Sequence, residues 1–249
     1  MEEIRDHEED YLLDKKYECT VCANKFTSRS IKSARVRMIG TDDILRQQFE
    51  QLDTHKYDVV VCPRCGYATV SKFFGTISDR LKPLIKEKIA PQFNYEEPAG
   101  AYSYNDAIRR YKIALTNIAL TKGKDSEKAY LCLKLAWVME GKEECLNPEA
   151  ANYADQKERC DMDLKGAIKL ARDSFIAARA GEEFPIAGMD ENTLDYLISA
   201  LSVRLEDYNT ASKLLSNIIT SRGVNPRLKD KARDLMGIVK KNFQEEAEE

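Results

Sequence analysis

Apolar residues recur along this chain with two different periods, and the change of period divides it. From Ser103 onward the period is helical. Tyr104, Ala107, Tyr111 and Ala114 stand three or four apart, and Tyr130, Leu133 and Trp137 repeat that spacing. A longer series, Tyr153, Cys160, Leu164, Ala167, Ile168, Ala171, Phe175 and Ala178, keeps to one face. Leu194, Leu197, Ile198, Leu201 and Leu205 form the next, then Tyr208, Ala211, Leu215 and Ile218, then Leu228, Ala232, Leu235 and Val239. Such spacing buries one stripe of an α-helix, so six helices are predicted. Breaks are expected at Gly123, at Gly141 with Asn147-Pro148, from Gly181 to Gly188, and at Gly223 with Asn225-Pro226, where glycine and proline interrupt helical backbone.

Residues 17–75 read differently, as strands and turns. YDVVVC (57–62) is a β-branched run, and SARVRMI (33–39) is a second strand candidate. Between them TDDILRQQFEQL (41–52) opens on a capping residue, Thr41, followed by two acids. Ile44, Phe49 and Leu52 then stand near helical spacing, which predicts a short helix. ISDRLKPLIKEKIA predicts another, capped near Ser78 with Pro83 in its first turns. PQFNYEEPAGAYS reads as a linker. The expected division is a cysteine-bearing module with a helical insertion over 1–75, a linker over 76–102, and a helical domain over 103–249. The terminal QEEAEE is expected to be a frayed, solvated end.

The fold class is therefore mostly α, with one small β module. Small residues at helix contact positions (Ala107, Ala114, Ala167, Ala211) let neighbouring helices approach closely. The Tyr-x-x-Ala spacing of 104–114, and LEDYNTASKLL followed by Pro226, are similar to the second helix of a tetratricopeptide repeat. The intervals between them do not keep that repeat's period of about 34 residues. The expectation is a degenerate, tetratricopeptide-like α-helical hairpin array, and the alternative is an ordinary bundle of amphipathic helices.

Charge and composition narrow the class. The 249 residues carry 39 Lys+Arg against 42 Asp+Glu, a net charge of −3. That balance argues against nucleic-acid binding by the whole surface. Low Gly and Pro exclude collagen-like chains. The start, MEEIRDHEED, has no apolar run of the kind a secretory signal needs. The richest apolar run, YLCLKLAWVM, is too short to span a bilayer and is broken by Lys134. A cytoplasmic protein without a membrane partner is expected, and seven cysteines suit a reducing compartment.

Those cysteines are where chemistry is legible. Cys19 and Cys22 (YECTVCANKF), with Cys62 and Cys65 (VVVCPRCGYA), form two CxxC pairs separated by 39 residues. Two such turns supply four thiolates, the closed ligand set of a structural Zn2+. Pro63 stiffens the second turn, and Gly66 supplies a permissive backbone. In the first turn Asn24 is the residue expected to take the left-handed conformation in glycine's place. Four thiolates also suit iron, and CPxCG is similar to a rubredoxin knuckle, but Ala23 and the long insertion differ from that family. Zinc is favoured. Residues 15–37 carry seven basic side chains against Glu18 alone, enough to offset an anionic centre and leave a basic surface.

His55 is read as a surface residue, Cys132 as core, and Cys145 and Cys160 as lying in charged, exposed surroundings. Trp137, Tyr130 and Tyr196 are read as core aromatics rather than a groove lining. No Walker loop, dinucleotide-binding glycine motif, GxSxG elbow or HExxH is present.

Four stretches carry a resemblance: KYECTVCANKF, YDVVVCPRCGYATVSKFF, LKLAWVMEG and LDYLISALSVRLEDYNTASKLLSNII. In that order they resemble successive blocks of a bacterial family catalogued as a domain of unknown function, family 2225. The resemblance covers about residues 15–240. It implies a zinc-ribbon-like module fused to a tetratricopeptide-like helical region in a cytoplasmic bacterial protein, and it transfers no activity.

The functional expectation is a non-enzymatic adaptor with a structural zinc, engaging a protein or peptide through the helical region. One alternative is nucleic-acid binding through Arg29, Lys32, Arg35 and Arg37, with Tyr17, Phe26 or Tyr67 stacking on bases. Another is redox: an iron electron carrier, or a thiol switch that releases zinc.

Overall fold

The structure is a computed structural model that describes residues 7–248, with side chains described through Gln244. Within them lie three two-stranded sheets and seven α-helices. The strands are β1 (Leu12–Glu18), β2 (Lys25–Ile31), β3 (Met38–Thr41), β4 (Gln47–Phe49), β5 (Val59–Val61) and β6 (Ala68–Val70). The helices are α1 (Lys82–Lys88), α2 (Tyr104–Thr121), α3 (Asp125–Glu144), α4 (Tyr153–Gly181), α5 (Glu191–Arg204), α6 (Tyr208–Thr220) and α7 (Pro226–Glu248). No helix among the described residues is long and apolar enough to cross a membrane.

The chain separates into two compact units, and the division cuts through two helices. One unit holds the chain up to Gly40 with residues 48–124 and 134–164. The other holds Thr41–Gln47, Asp125–Leu133 and everything from Lys165 onward.

In the first unit β1 and β2 form an antiparallel ribbon with Tyr17 opposite Phe26 and Glu18 opposite Lys25. β5 and β6 form a second antiparallel hairpin, Val59 opposite Val70, and the three valines of β5 are fully buried. Helix α2 packs on this hairpin. Its start is fixed by a capping box in which Ser103 Oγ accepts from the Asp106 amide and Asp106 accepts from the Ser103 amide. The Tyr104, Ala107, Tyr111, Ala114 face is buried as expected. Its polar partners belong to the β region rather than to a neighbouring repeat: Tyr111 donates to the His55 carbonyl at 3.1 Å and Asn117 to the Gly66 carbonyl at 2.8 Å.

Arg110 joins the pieces of this unit. Its side chain is entirely buried. Nε and Nη2 donate to the Val59 carbonyl at 3.1 and 2.8 Å, Nη2 to Ser28 Oγ at 2.7 Å, and Nη1 to Glu97 at 2.7 Å and to the Tyr95 hydroxyl at 2.6 Å. Its guanidinium lies 4.5 Å from the Tyr102 ring centre. A buried charge persists only with this degree of pairing. Within 76–102, the stretch expected to link, Ile85, Tyr95, Ala101 and Tyr102 are buried.

The second unit contains α5, α6 and α7, each packed on the next. Asp190 and Asp207 cap α5 and α6 by accepting the amides of Thr193 and Thr210. Asn225 accepts the Arg227 amide at the start of α7. Ala200, Ala211 and Ala232 are fully buried, the small residues that permit close helix approach. Pro226 is the first residue of α7, where its missing amide costs nothing.

Several sequence expectations need correction. Residues 41–52 are not a helix: they are a turn, β4 and a short irregular stretch. Asp42 and Arg46 close the turn, the Asp42 carboxylate accepting the Arg46 amide at 2.7 Å and the Asp42 amide donating to the Arg46 carbonyl at 3.1 Å. Leu45 takes a left-handed φ of 62°. The acids therefore close a turn instead of capping a helix. The strand expected over 33–39 begins only at Met38, after a single 3-10 turn over Ser33–Arg35. The helix expected near Ser78 begins at Lys82. Gly141 lies inside α3 rather than ending it. A methyl group there would stand 2.6 Å from the Tyr104 ring and 2.7 Å from the Asp53 carboxylate, so the glycine serves close approach. At the C-terminus the α7 backbone stays helical through Glu248, past Phe243. Gln244, where the expected solvated run begins, is exposed, and the side chains after it lie outside the described residues.

Candidate metal centre

The two CxxC turns converge. The sulfurs of Cys19, Cys22, Cys62 and Cys65 all lie within 4.8 Å of one another. Cys19 faces Cys65 and Cys22 faces Cys62, each pair at 3.6 Å. Four thiolates around one ion with bonds of about 2.3 Å place sulfurs about 3.8 Å apart. The four residues therefore fit a single tetrahedral ion.

The turns are near copies of each other. In the first, the Cys19 amide donates to the Asn24 carbonyl and the Ala23 amide to the Cys19 carbonyl, at 2.9 and 2.8 Å. In the second, the Cys62 amide donates to the Tyr67 carbonyl and the Gly66 amide to the Cys62 carbonyl, at 2.8 and 3.0 Å. The residue after the second cysteine is left-handed in both, Ala23 at φ 56° and Gly66 at φ 72°. The strained position of the first turn is therefore Ala23, not Asn24. These turns aim amides at sulfur: Val21 and Cys22 toward Cys19, Arg64 and Cys65 toward Cys62, and Tyr67 toward Cys65. Amides donating to sulfur favour thiolate over thiol.

Among themselves Cys19, Cys62 and Cys65 hold their protons unevenly. Hydrogen bonding with Cys62 pushes the Cys19 thiol up to about 12, and bonding with Cys19 pushes Cys65 up as well. Donation from Cys19 and Cys65 holds Cys62 well below the usual thiol range. A divalent ion would supply the charge that lets all four ionise.

Apolar side chains enclose the cluster. Cys19, Cys62 and Cys65 are buried with Val21, Tyr67 and Ile85, and Phe26, Phe74, Ile89 and Leu120 pack around them. Gly66 is pressed against this shell. A methyl there would come within 2.6 Å of Ile89 Cγ2 and 2.7 Å of Phe93.

The four basic candidates stand apart from one another in role. Arg29 is half-buried and held in the structure, Nε donating to the Gly100 carbonyl at 3.2 Å and Nη1 meeting Asp14 at 3.0 Å. Lys32 donates to the Asp10 carbonyl at 3.0 Å. Arg37 is exposed, 3.9 Å from Glu50, and Arg35 is exposed on its 3-10 turn. Tyr17 and Phe26 stack on each other 5.8 Å apart, and Tyr67 is buried.

His55 is not a surface residue. It is buried against Trp137, 4.7 Å between ring centres, with Nδ1 3.4 Å from Asp58. Trp137 and Tyr196 are core and Tyr130 is half-buried. Cys132 is core, and burial pushes its thiol up to about 11. Cys160 is buried rather than exposed, Cys145 is half-buried, and burial raises both thiols. Together with Lys142, Asn147, Gln156 and Arg159 they line a cavity of about 490 Å³. Sequence reasoning missed the Arg110 network and the seat of residues 41–47. The run Gly40-Thr41-Asp42-Asp43, rich in turn formers, was the available signal for the second.

Fold and site together define a helix-rich protein carrying an enclosed four-cysteine cluster near its N-terminus, compatible with a metal ion. The chain belongs to the family described as an uncharacterized protein conserved in bacteria (DUF2225), whose pattern matches residues 12–239. Neither the curated proteins nor the solved structures contain a match to it.

Proposed function

We propose that Cys19, Cys22, Cys62 and Cys65 bind one Zn2+ as a closed structural centre, and that the protein is a non-enzymatic adaptor. The supporting observation is the convergence of four sulfurs inside an apolar shell. All four positions of a tetrahedral ion are taken by cysteine, which leaves no place for water or substrate. The ion would tie the turn after β1 to the turn after β5, inside the apolar shell that both turns help to build. In this reading α5, α6 and α7 form a tetratricopeptide-like array that offers a surface to a protein partner.

Metal analysis of protein purified without added metal tests the centre. About one zinc per chain and no visible colour are expected. Iron with a visible charge-transfer band would replace the zinc reading with an electron carrier, for which the same four sulfurs are suited. A metal-free protein with four free thiols would remove the structural centre.

A further inference from the structure

Residues Thr41–Gln47 belong to the helical unit, and their contacts there are those of a bound ligand. Asp43 is gripped by Arg204 of α5 through two hydrogen bonds of 2.7 Å, Nε to Oδ2 and Nη2 to Oδ1. Lys231 of α7 donates to Thr41 Oγ1 at 3.0 Å and to the Asp42 carbonyl at 3.2 Å. Ile44 is completely buried, while its neighbours Asp43 and Leu45 are not. Two helices thus present cations to an acidic turn whose aliphatic residue, Ile44, is buried. A planar fork on a carboxylate is a recognition geometry.

We propose that α5 and α7 form a protein-docking site that reads a tight acid-acid-aliphatic turn, and that Asp42-Asp43-Ile44 occupies it in cis as an internal competitor. The trans ligand is a turn of the same chemistry on another protein: a carboxylate for Arg204, a polar edge for Lys231 and an aliphatic residue for the Ile44 seat. The arrangement suits displacement. Arg204 and Asp43 each remain 36% exposed, so water and salt compete for the pair. No residue of the turn is helical, so leaving its seat breaks no helix. A site occupied in cis binds its ligand in proportion to the fraction of time it stands open. The proposal gives a partner chemistry to the adaptor reading and rests on it for its biological meaning.

The probe is a labelled, backbone-cyclised peptide of residues 38–49, titrated into the full-length protein by fluorescence anisotropy. In one variant residues 42–46 are replaced by Asn-Gly, a two-residue hairpin turn. This variant is expected to bind the peptide at least about tenfold more tightly than the parent. Adding Arg204→Ala should abolish that binding. Equal affinity for parent and variant, or no binding by a variant that keeps its helical circular dichroism, would overturn the proposal. Should the variant fail to fold, hydrogen exchange on the parent decides. Amides of 43–46 that exchange well before those of α5 support a detachable turn, and equal protection refutes it. Either failure leaves the metal-centred reading standing, since that is decided by the zinc count.

Discussion

Ala23 and Gly66 hold the same place in two copies of one turn, yet substitution should act on them in opposite directions. A left-handed alanine costs about 1–2 kcal/mol, and glycine there loses part of that gain to its freer unfolded chain. Ala23→Gly is therefore expected to stabilise the metal-loaded protein by up to about 1 kcal/mol, read from denaturant midpoints. Gly66→Ala combines left-handed strain with a clash against Ile89 and Phe93 and should cost roughly 2 kcal/mol or more. Asp58 gives a second test. Burial works to raise its carboxyl, but Lys134 at 2.5 Å and His55 overrule it and hold it down to about 2. The Tyr111 hydroxyl also faces it, at 3.5 Å. A depressed carboxyl stabilises fully above its unfolded value of about 3.9, and that stability is lost as pH falls toward 2. Asp58→Asn should thus unfold earlier than the parent at pH 7 by about 2–4 kcal/mol. The gap should close in melts taken between pH 4 and 2.

The helices of this chain were easy to read because each carries a long stripe of one period. α2 through α7 fall where Tyr104, Tyr130, Tyr153, Leu194, Tyr208 and Leu228 open their series. The four-cysteine cluster was legible for a similar reason: a CxxC turn is local, and two turns of matching spacing need only be brought together. Shorter elements were legible only in part: β5 lies in its β-branched run and α1 in its expected stretch, but the turn over 41–47 was not. In residues 41–52, Ile44, Phe49 and Leu52 fit a helical period by coincidence, and the turn chemistry of Asp42 outweighed it. His55 was misplaced because a polar side chain betrays nothing of an aromatic seat built by Trp137, 82 positions on. The Arg110 network was hidden in the same way, since Ser28, Val59 and Glu97 meet it only in three dimensions. At this scale Cys62→Ser should loosen β5, β6 and the Asn117 tie from α2, while α5 to α7 keep their helicity. Circular dichroism with limited proteolysis would show fragments from the N-terminal half alone. Loss of the whole helical signal would mean that the helical unit also depends on the metal turns.

For the whole molecule, two units imply two stabilities. A chelator acts only on the unit that holds the cysteines, so its calorimetric transition should fall in temperature while the other stays in place. A single transition that moves as one would show that the units unfold together. The division does not follow the chain, because α3 and α4 each contribute to both units. Fragments cut near residue 103 would therefore separate α2 and residues 134–164 from the cysteine-bearing unit, and Thr41–Gln47 from the helical one.

The distances along the chain also set an order of events during synthesis. The metal cluster is complete once Cys65 has emerged, 46 residues after Cys19. Asp43 must wait for Arg204, 161 residues later, which is roughly 10–30 s at translation rates of about 5–20 residues per second. Throughout that interval the nascent protein displays its acidic turn and Ile44 with no seat to receive them. A ribosome-bound chain is thus a state in which the turn is free before Arg204 exists, and a chaperone that shields aliphatic segments would meet it there.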